Sequence, residues 1–286
     1  MPLVSGETWH SDELTKLSPG GSDTQVQFND VGTLAGSSNF TYNKTTSVLT
    51  LGANPVLTAG TANGVLYLNG SKSATTGSVL TFDGAQLGVN GITVGRGAGA
   101  VSTNTALGAS ALAANTSGST NSAFGQYALF ANTTGYDNTG IGRSAMESNT
   151  TGLANTTLGR SALYTNTTGS YNTAVGTQAL LSNTTASNNT AVGYQAGYTN
   201  TTGADNFFAG AYAGYNNTGS SNTYVGKSAA YWNTSGTNNV AVGLNAGGAS
   251  GGATTGSYST AIGSGALQYN AASYNTAVGY QAAALY

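Results

Sequence analysis

The chain has 286 residues, of which 7 are Lys or Arg and 9 are Asp or Glu, giving a net charge of −2, and it contains no cysteine. So weak a charge argues against nucleic-acid or anionic-membrane partners, and the lack of thiols excludes disulfide, zinc-thiolate and cysteine-nucleophile chemistry together. Glycine contributes 43 residues; a polar, Gly-rich, uncharged chain is neither a typical globular enzyme nor the charge-solvated kind of disordered segment.

Residues 1–20 hold Glu7, Asp12, Glu13 and Lys16, the densest charge in the chain. Ser11–Leu17 could form a turn or two of helix before Pro19-Gly20-Gly21 ends it. The segment reads either as a free terminus or as a docking peptide that orders on a larger assembly. Met1–His10 has neither the basic start nor the apolar core of a secretory signal. No window approaches 18 apolar residues, so no transmembrane helix and no membrane insertion are expected.

Residues 21–90 read as a β-rich shoulder with a faint duplication at an offset of forty. Val26–Asp30 corresponds to Leu66–Gly70, and Phe40–Asn43 to Leu80–Asp83. Each copy alternates apolar and polar residues and then turns at Asn-Asp, Asn-Gly, Asn-Lys or Asp-Gly, as hairpins do. Gly91–Gly95 reads as a degenerate copy of the repeat phrase that begins the solenoid as a capping coil, so residues 91–286 form the third segment, a solenoid rod.

From Asn104 a phrase of about 17 residues returns eleven times, beginning at Asn104, Asn121, Asn138, Asn155, Asn172, Asn189, Asn206, Asn222, Asn239, Ser259 and Asn275. A short fixed period means stacked coils. Position five is always Gly (Gly108, Gly125, Gly142, Gly159, Gly176, Gly193 and onward), and position eight is always Ala (Ala111, Ala128, Ala145, Ala162, Ala179, Ala196 and onward). Position five therefore needs positive φ or no side chain, and position eight has room for a methyl group only. Position four is apolar throughout and is expected to share the core with the alanine. A helix is excluded because Gly and Asn-Thr break every run within about seven residues, which is too short to stand alone. The expected fold is all-β, a parallel β-roll or β-solenoid of about eleven short coils. Strands are expected at positions two to four and again around the alanine, with Asn-Thr-Thr-Gly as the turn. Eleven coils at ~4.8 Å each make a stack roughly 50 Å long, with Asn stacked on Asn at position one. A core so thin predicts self-association.

No catalytic or metal constellation appears, and no cofactor is expected. His10 is the single histidine; Glu147 lies in a different column from Asp137 and Asp205, which are four coils apart. Gly95–Gly99 lacks the Lys-Ser/Thr of a phosphate loop. Aromatics are richer: Phe130, Tyr164, Tyr198, Tyr215 and Tyr231 share position ten, with Trp232 beside the last. They read as a stacked ladder or subunit seam, or as an exposed face for sugar rings. A threonine column at position two (Thr105, Thr139, Thr156, Thr173, Thr190 and others) could order water, as flat threonine arrays in ice-binding solenoids do.

The phrase Asn-Thr-Ala-Val-Gly-x-x-Ala, as at Asn172–Ala179 and Asn189–Ala196, resembles the head repeats of trimeric autotransporter adhesins, although the period of 17 is longer than that family's usual unit. Asp23–Asp30 with Leu49–Gly52 resembles the leading modules of tailed-bacteriophage fibre proteins. The first resemblance implies a homotrimer. The second implies a non-enzymatic virion subunit, made in the host cytoplasm. Residues 1–20 would hold it to a tail or baseplate protein, and the rod would face a host-surface glycan or protein. The absence of a signal peptide and of a membrane-anchoring barrel favours the fibre over an exported adhesin. A capsid-attached head fibre or decoration protein is one alternative, and a non-viral ice- or surface-binding solenoid is another.

Overall fold

A repeated phrase folds into repeated coils because each backbone group can meet its own counterpart one period away. The computed structural model describes residues 92–248, 255–269 and 272–284, and before them the strand segments 25–30, 33–43, 48–51, 64–68, 74–82 and 87–89. The expected docking segment 1–20 lies outside the described residues.

Two compact units divide the chain, Met1–Gly60 and Thr61–Tyr286. The first contains β1 (Gln25–Asp30), β2 (Thr33–Asn43) and β3 (Val48–Leu51), an antiparallel sheet in chain order. The second opens with β4 (Gly64–Leu68), β5 (Ala74–Phe82) and β6 (Leu87–Val89), paired in the same antiparallel order. Register slips between Gln25 and Gln27 in one copy and between Gly64 and Leu66 in the other. The two halves of the duplication thus fall in different units. β7 (Ile92–Gly95), read from sequence as a degenerate coil, instead runs antiparallel to both β6 and β8 (Thr105–Gly108). It covers the first edge of the stack, which would otherwise offer unpaired backbone groups.

From β8 onward the sheet is parallel. Its strands are β9 (Ser122–Phe124), β10 (Thr139–Ile141), β11 (Thr156–Leu158), β12 (Thr173–Val175), β13 (Thr190–Val192), β14 (Phe207–Ala209), β15 (Thr223–Val225), β16 (Val240–Val242), β17 (Thr260–Ile262) and β18 (Thr276–Val278). Each pairs with the next in the register of the repeat, Thr173 with Thr190, Ala174 with Ala191 and Val175 with Val192. The protein is all-β, and this part of it is a parallel β-solenoid.

Hydrogen bonds between coils run round the whole circumference. Gly176 N–H donates to Leu158 O, Gln178 N–H to Arg160 O, Leu180 N–H to Ala196 O and Ser182 N–H to Tyr198 O, at 2.7, 2.9, 2.9 and 3.0 Å. The second strand expected around the alanine does not form. Positions seven and nine take the left-handed conformation instead, as at Gln178 (φ 59) and Leu180 (φ 50), so this side is a run of turns. Such φ values are uncommon for non-glycine residues; here the bonds to both neighbouring coils hold them. Gly176 has φ +128, and a Cβ there would lie 2.5 Å from Gly193 O. Position five therefore needs glycine on both counts.

The core also differs from expectation. Within a three-residue strand, neighbours point to opposite faces, and it is position three that points in. Ala106, Ala123, Ala174, Ala191, Phe208 and Tyr224 are buried with the alanines of position eight and with Leu112, Leu129, Met146, Leu163 and Leu180 of position nine. Position four, expected inside, faces out: Leu107 is 42% exposed, Leu158 50% and Val192 42%. Positions three and nine share one volume. Where position three is Ala174, position nine of that coil is Leu180; around Phe208 and Tyr224, position nine shrinks to Gly197, Gly214 and Ala230.

Two asparagine columns line the interior. At position one, Asn138 N–H donates to Asn121 Oδ1 at 3.0 Å, and Asn138 Nδ2 donates to Gly152 O at 2.8 Å. At position twelve, in the segment read as a turn, the amides themselves form a ladder. Asn132 donates to Asn115, Asn149 to Asn132, Asn166 to Asn149 and Asn183 to Asn166, at 3.0, 2.8, 2.8 and 2.8 Å. Apart from Asn183 Oδ1, Asn189 Nδ2 and Asn200 Oδ1, the amide atoms of these buried residues are satisfied, which is the condition for carrying polar groups in so narrow a core. The ladder stops at Asn183, whose Oδ1 has no partner, one coil before position nine changes from Leu180 to Gly197.

Tyr224 carries a testable consequence. Its hydroxyl is buried and has no hydrogen-bond partner among the described residues. Burial pushes its pKa well above the ordinary value of 10.0, with the neighbouring Asn239 side chain weakly opposing. The unfolded chain therefore releases this proton first. Stability that is complete below about pH 10 falls as pH rises beyond it. Tyr224→Phe should remove that part of the alkaline loss, and at neutral pH should stay within about 1 kcal/mol of the parent. Melting curves across rising pH check this; parallel declines in the two proteins would contradict it.

Candidate functional site

Two outer surfaces of the solenoid carry chemistry. The first is the strand face, where positions two and four stand side by side in flat ranks: Thr139 beside Ile141, Thr156 beside Leu158, Thr173 beside Val175, Thr190 beside Val192. Neither column contains a charged residue from Thr105 to Val278. The apolar column runs unbroken along all eleven parallel strands, on the face away from the core.

The second surface lies among the turns. Tyr198, Tyr215 and Tyr231 stack face to face, with ring centroids 4.9 Å apart at both steps and planes within 4° and 2° of parallel. Their spacing is set by the coil rise, since each residue occupies position ten of successive coils. Trp232 meets Tyr231 edge-on at 4.9 Å and 67°. Tyr212 lies against Tyr215 and Tyr231 at 5.9 and 6.1 Å and edge-on to Tyr194 at 5.2 Å. Partial burial pushes the phenols of Tyr212 and Tyr215 above their ordinary value, and neighbouring tyrosines add to the shift. Those two phenols are therefore uncharged at neutral pH and offer π faces and hydroxyls, not anions.

Of the aromatics singled out from sequence, the structure gathers Tyr198, Tyr215, Tyr231 and Trp232 into this terrace. Phe130 and Tyr164 stand apart. Phe130 packs edge-on against Tyr127 at 5.7 Å, and Tyr164 donates to Glu147 Oε1 at 3.4 Å. Leu181 at position ten separates them from the terrace. Sequence reasoning missed Tyr194 and Tyr212. They belong to columns six and seven, where other coils carry Arg, Ser or Gln, and only the turn geometry brings these columns beside position ten. The alanines of position eight are buried in the core from Ala111 to Ala266, and the glycines of position five take positive φ. Among the described residues no group of three or more His, Cys, Asp or Glu could hold a metal ion, and no helix is long and apolar enough to cross a membrane.

No family model, curated protein or solved structure matches the chain. Its function has to be argued from these two surfaces.

Proposed function

We propose that the chain is a structural fibre subunit: three copies associate in parallel through their strand faces and display the turn faces, with the tyrosine terrace, to a target surface. The single observation that carries this reading is the uninterrupted apolar column of position four on the outside of the sheet, with no charge in either outward column. A contiguous apolar patch of this length is unusual on a monomer and is typical of an interaction surface. A regular stack offers its partner the same contact at every coil, so a second copy in the same register matches it along its whole length. Three copies rather than two is the number suggested by the resemblance to trimeric adhesin heads. Attachment to a phage tail through residues 1–20 is suggested by the resemblance of Asp23–Asp30 to fibre modules; attachment to a capsid is the alternative. Holding three terraces on one rigid body would turn weak contacts into avidity.

Sedimentation equilibrium of the purified chain should give about three times 28.3 kDa. Replacing Ile141 and Val192 together by Glu should lower the mass to that of one chain while the β circular dichroism persists. A monomeric parent would sink the proposal. It would favour a second reading, in which the outward threonines of position two order water in an ice- or surface-binding solenoid. That reading needs the strand face in solvent, and its column is interrupted by Phe207 and Val240.

A further inference from the structure

The tyrosine stack ends in a notch. After Tyr198, Tyr215 and Tyr231, the next coil places Gly248 at position ten, so that position adds no further ring to the stack. The space has a volume of about 170 Å³ and is lined by Ser228, Tyr231, Trp232, Asn245, Gly248 and Gln268. Trp232, 37% exposed, forms its side wall. Among the described residues none of the lining side chains is charged. The Ser228 hydroxyl and the Asn245 and Gln268 amides make no hydrogen bond to any described residue.

We propose that this notch binds one ring of a neutral hexopyranose. The proposal deepens the adhesion part of the function above and rests on it for its biological meaning. Tyr231 offers the face on which the next rung of the ladder would lie, and a pyranose presents C–H groups to such a face, where the electron-rich π cloud meets them favourably. Around this floor stand one hydroxyl and two amides, each able both to donate and to accept. Sugar hydroxyls have the same double capacity. A flat aromatic ligand would satisfy the floor and leave the amides unmet, and an anionic sugar would find no cation in the lining. The volume is below the ~300–1,000 Å³ usual for drug-sized ligands, which suits a single ring and not a folded partner.

The repeat itself supplies the blocking variant. A Cβ on Gly248 would lie 3.3 Å from both Ser228 O and Tyr231 N, so the backbone has to give by a few tenths of an ångström to admit a side chain, and the residue is not in the left-handed region. Gly248→Tyr should add the missing rung and fill the notch with the protein's own ring.

The test uses the full chain with the methyl glycosides of glucose, galactose and mannose as probes, read by saturation-transfer NMR and by tryptophan fluorescence. At least one glycoside should bind saturably with a Kd on the order of 1 mM. Gly248→Tyr and Trp232→Ala should each weaken binding at least about tenfold with the melting temperature retained; Tyr164→Ala, on the separate aromatic, should bind as the parent does. No saturable response to any of the three sugars overturns the proposal. Undiminished binding by Gly248→Tyr also overturns it, as does tighter binding of p-cresol than of every sugar. Mass measured on the same samples reports the fibre reading separately: trimers that do not bind sugar refute the notch alone, and monomers that bind sugar refute the trimer alone.

Discussion

Gly176→Ala is expected to break the solenoid where it stands, lowering stability by at least about 3 kcal/mol. The methyl group would sit 2.5 Å from the Gly193 carbonyl oxygen, and the backbone at φ +128 is one that alanine avoids. Nothing there can yield, because the obstacle is backbone already bonded in the next coil. Gly169 at position fifteen is the control. A Cβ there would approach Ala186 O at 2.3 Å and Asn166 Oδ1 at 2.4 Å, yet Ala186 carries a methyl group in this same column, at the coil where Asn183 Oδ1 is left without a partner. Gly169→Ala should therefore cost less than Gly176→Ala, its loss being the amide bond between Asn183 and Asn166. Stacked repeats can open locally, so hydrogen exchange over residues 155–210 is the appropriate reading beside a global melt. Equal protection in parent and Gly176→Ala would show that the invariant glycine has no steric cause.

The second large effect is a coupled one. Phe208→Ala empties a filled core site and should cost about 3–5 kcal/mol. Gly197→Leu alone should also be damaging, because its Cβ would lie 2.6 Å from Phe208 Cδ2. Together they recreate the pairing of the coil before, where Ala174 and Leu180 fill the same space. Leu is acceptable at that backbone, since Leu180 already occupies position nine at φ 50. The double variant should recover more than about 1 kcal/mol relative to the sum of the single losses, which denaturant titration of the four proteins measures. Additive losses would mean that positions three and nine do not share a volume.

How much was legible depends on the kind of constraint at each column. Gly176 and Ala179 could be read because a steric limit admits one residue type, so identity reveals role. Position four was misread as core because apolar identity says that a residue avoids water, not which face of a three-residue strand it occupies. The true core column was hidden by its variety. Ala174, Gly140, Thr157, Phe208 and Tyr224 look unconstrained until the compensating residue six positions on is seen beside them. The inner asparagine ladder at position twelve is hidden within the turn signal of Asn-Thr-Thr, because each amide both bonds its own turn, as Asn149 Nδ2 does to Gly152 O, and donates to the preceding coil, as Asn149 Nδ2 does to Asn132 Oδ1. The terrace was half visible. Its three stacked tyrosines share a column, whereas Tyr194 and Tyr212 reach it only because positions six and seven fold over at the glycine corner.

The inverted core around Phe208 and Tyr224 bears on a problem that every uniform rack faces. Coils with the same strand, the same glycine and the same ladders could mesh one tooth out of step, and the sheet bonds would scarcely register the error. Two bulky teeth sit beside two matching gaps, Gly197 and Gly214, so a shift by one period would set Phe208 against Leu180 and leave Gly197 without the ring that fills its gap. Folding can thus count its coils from that mark.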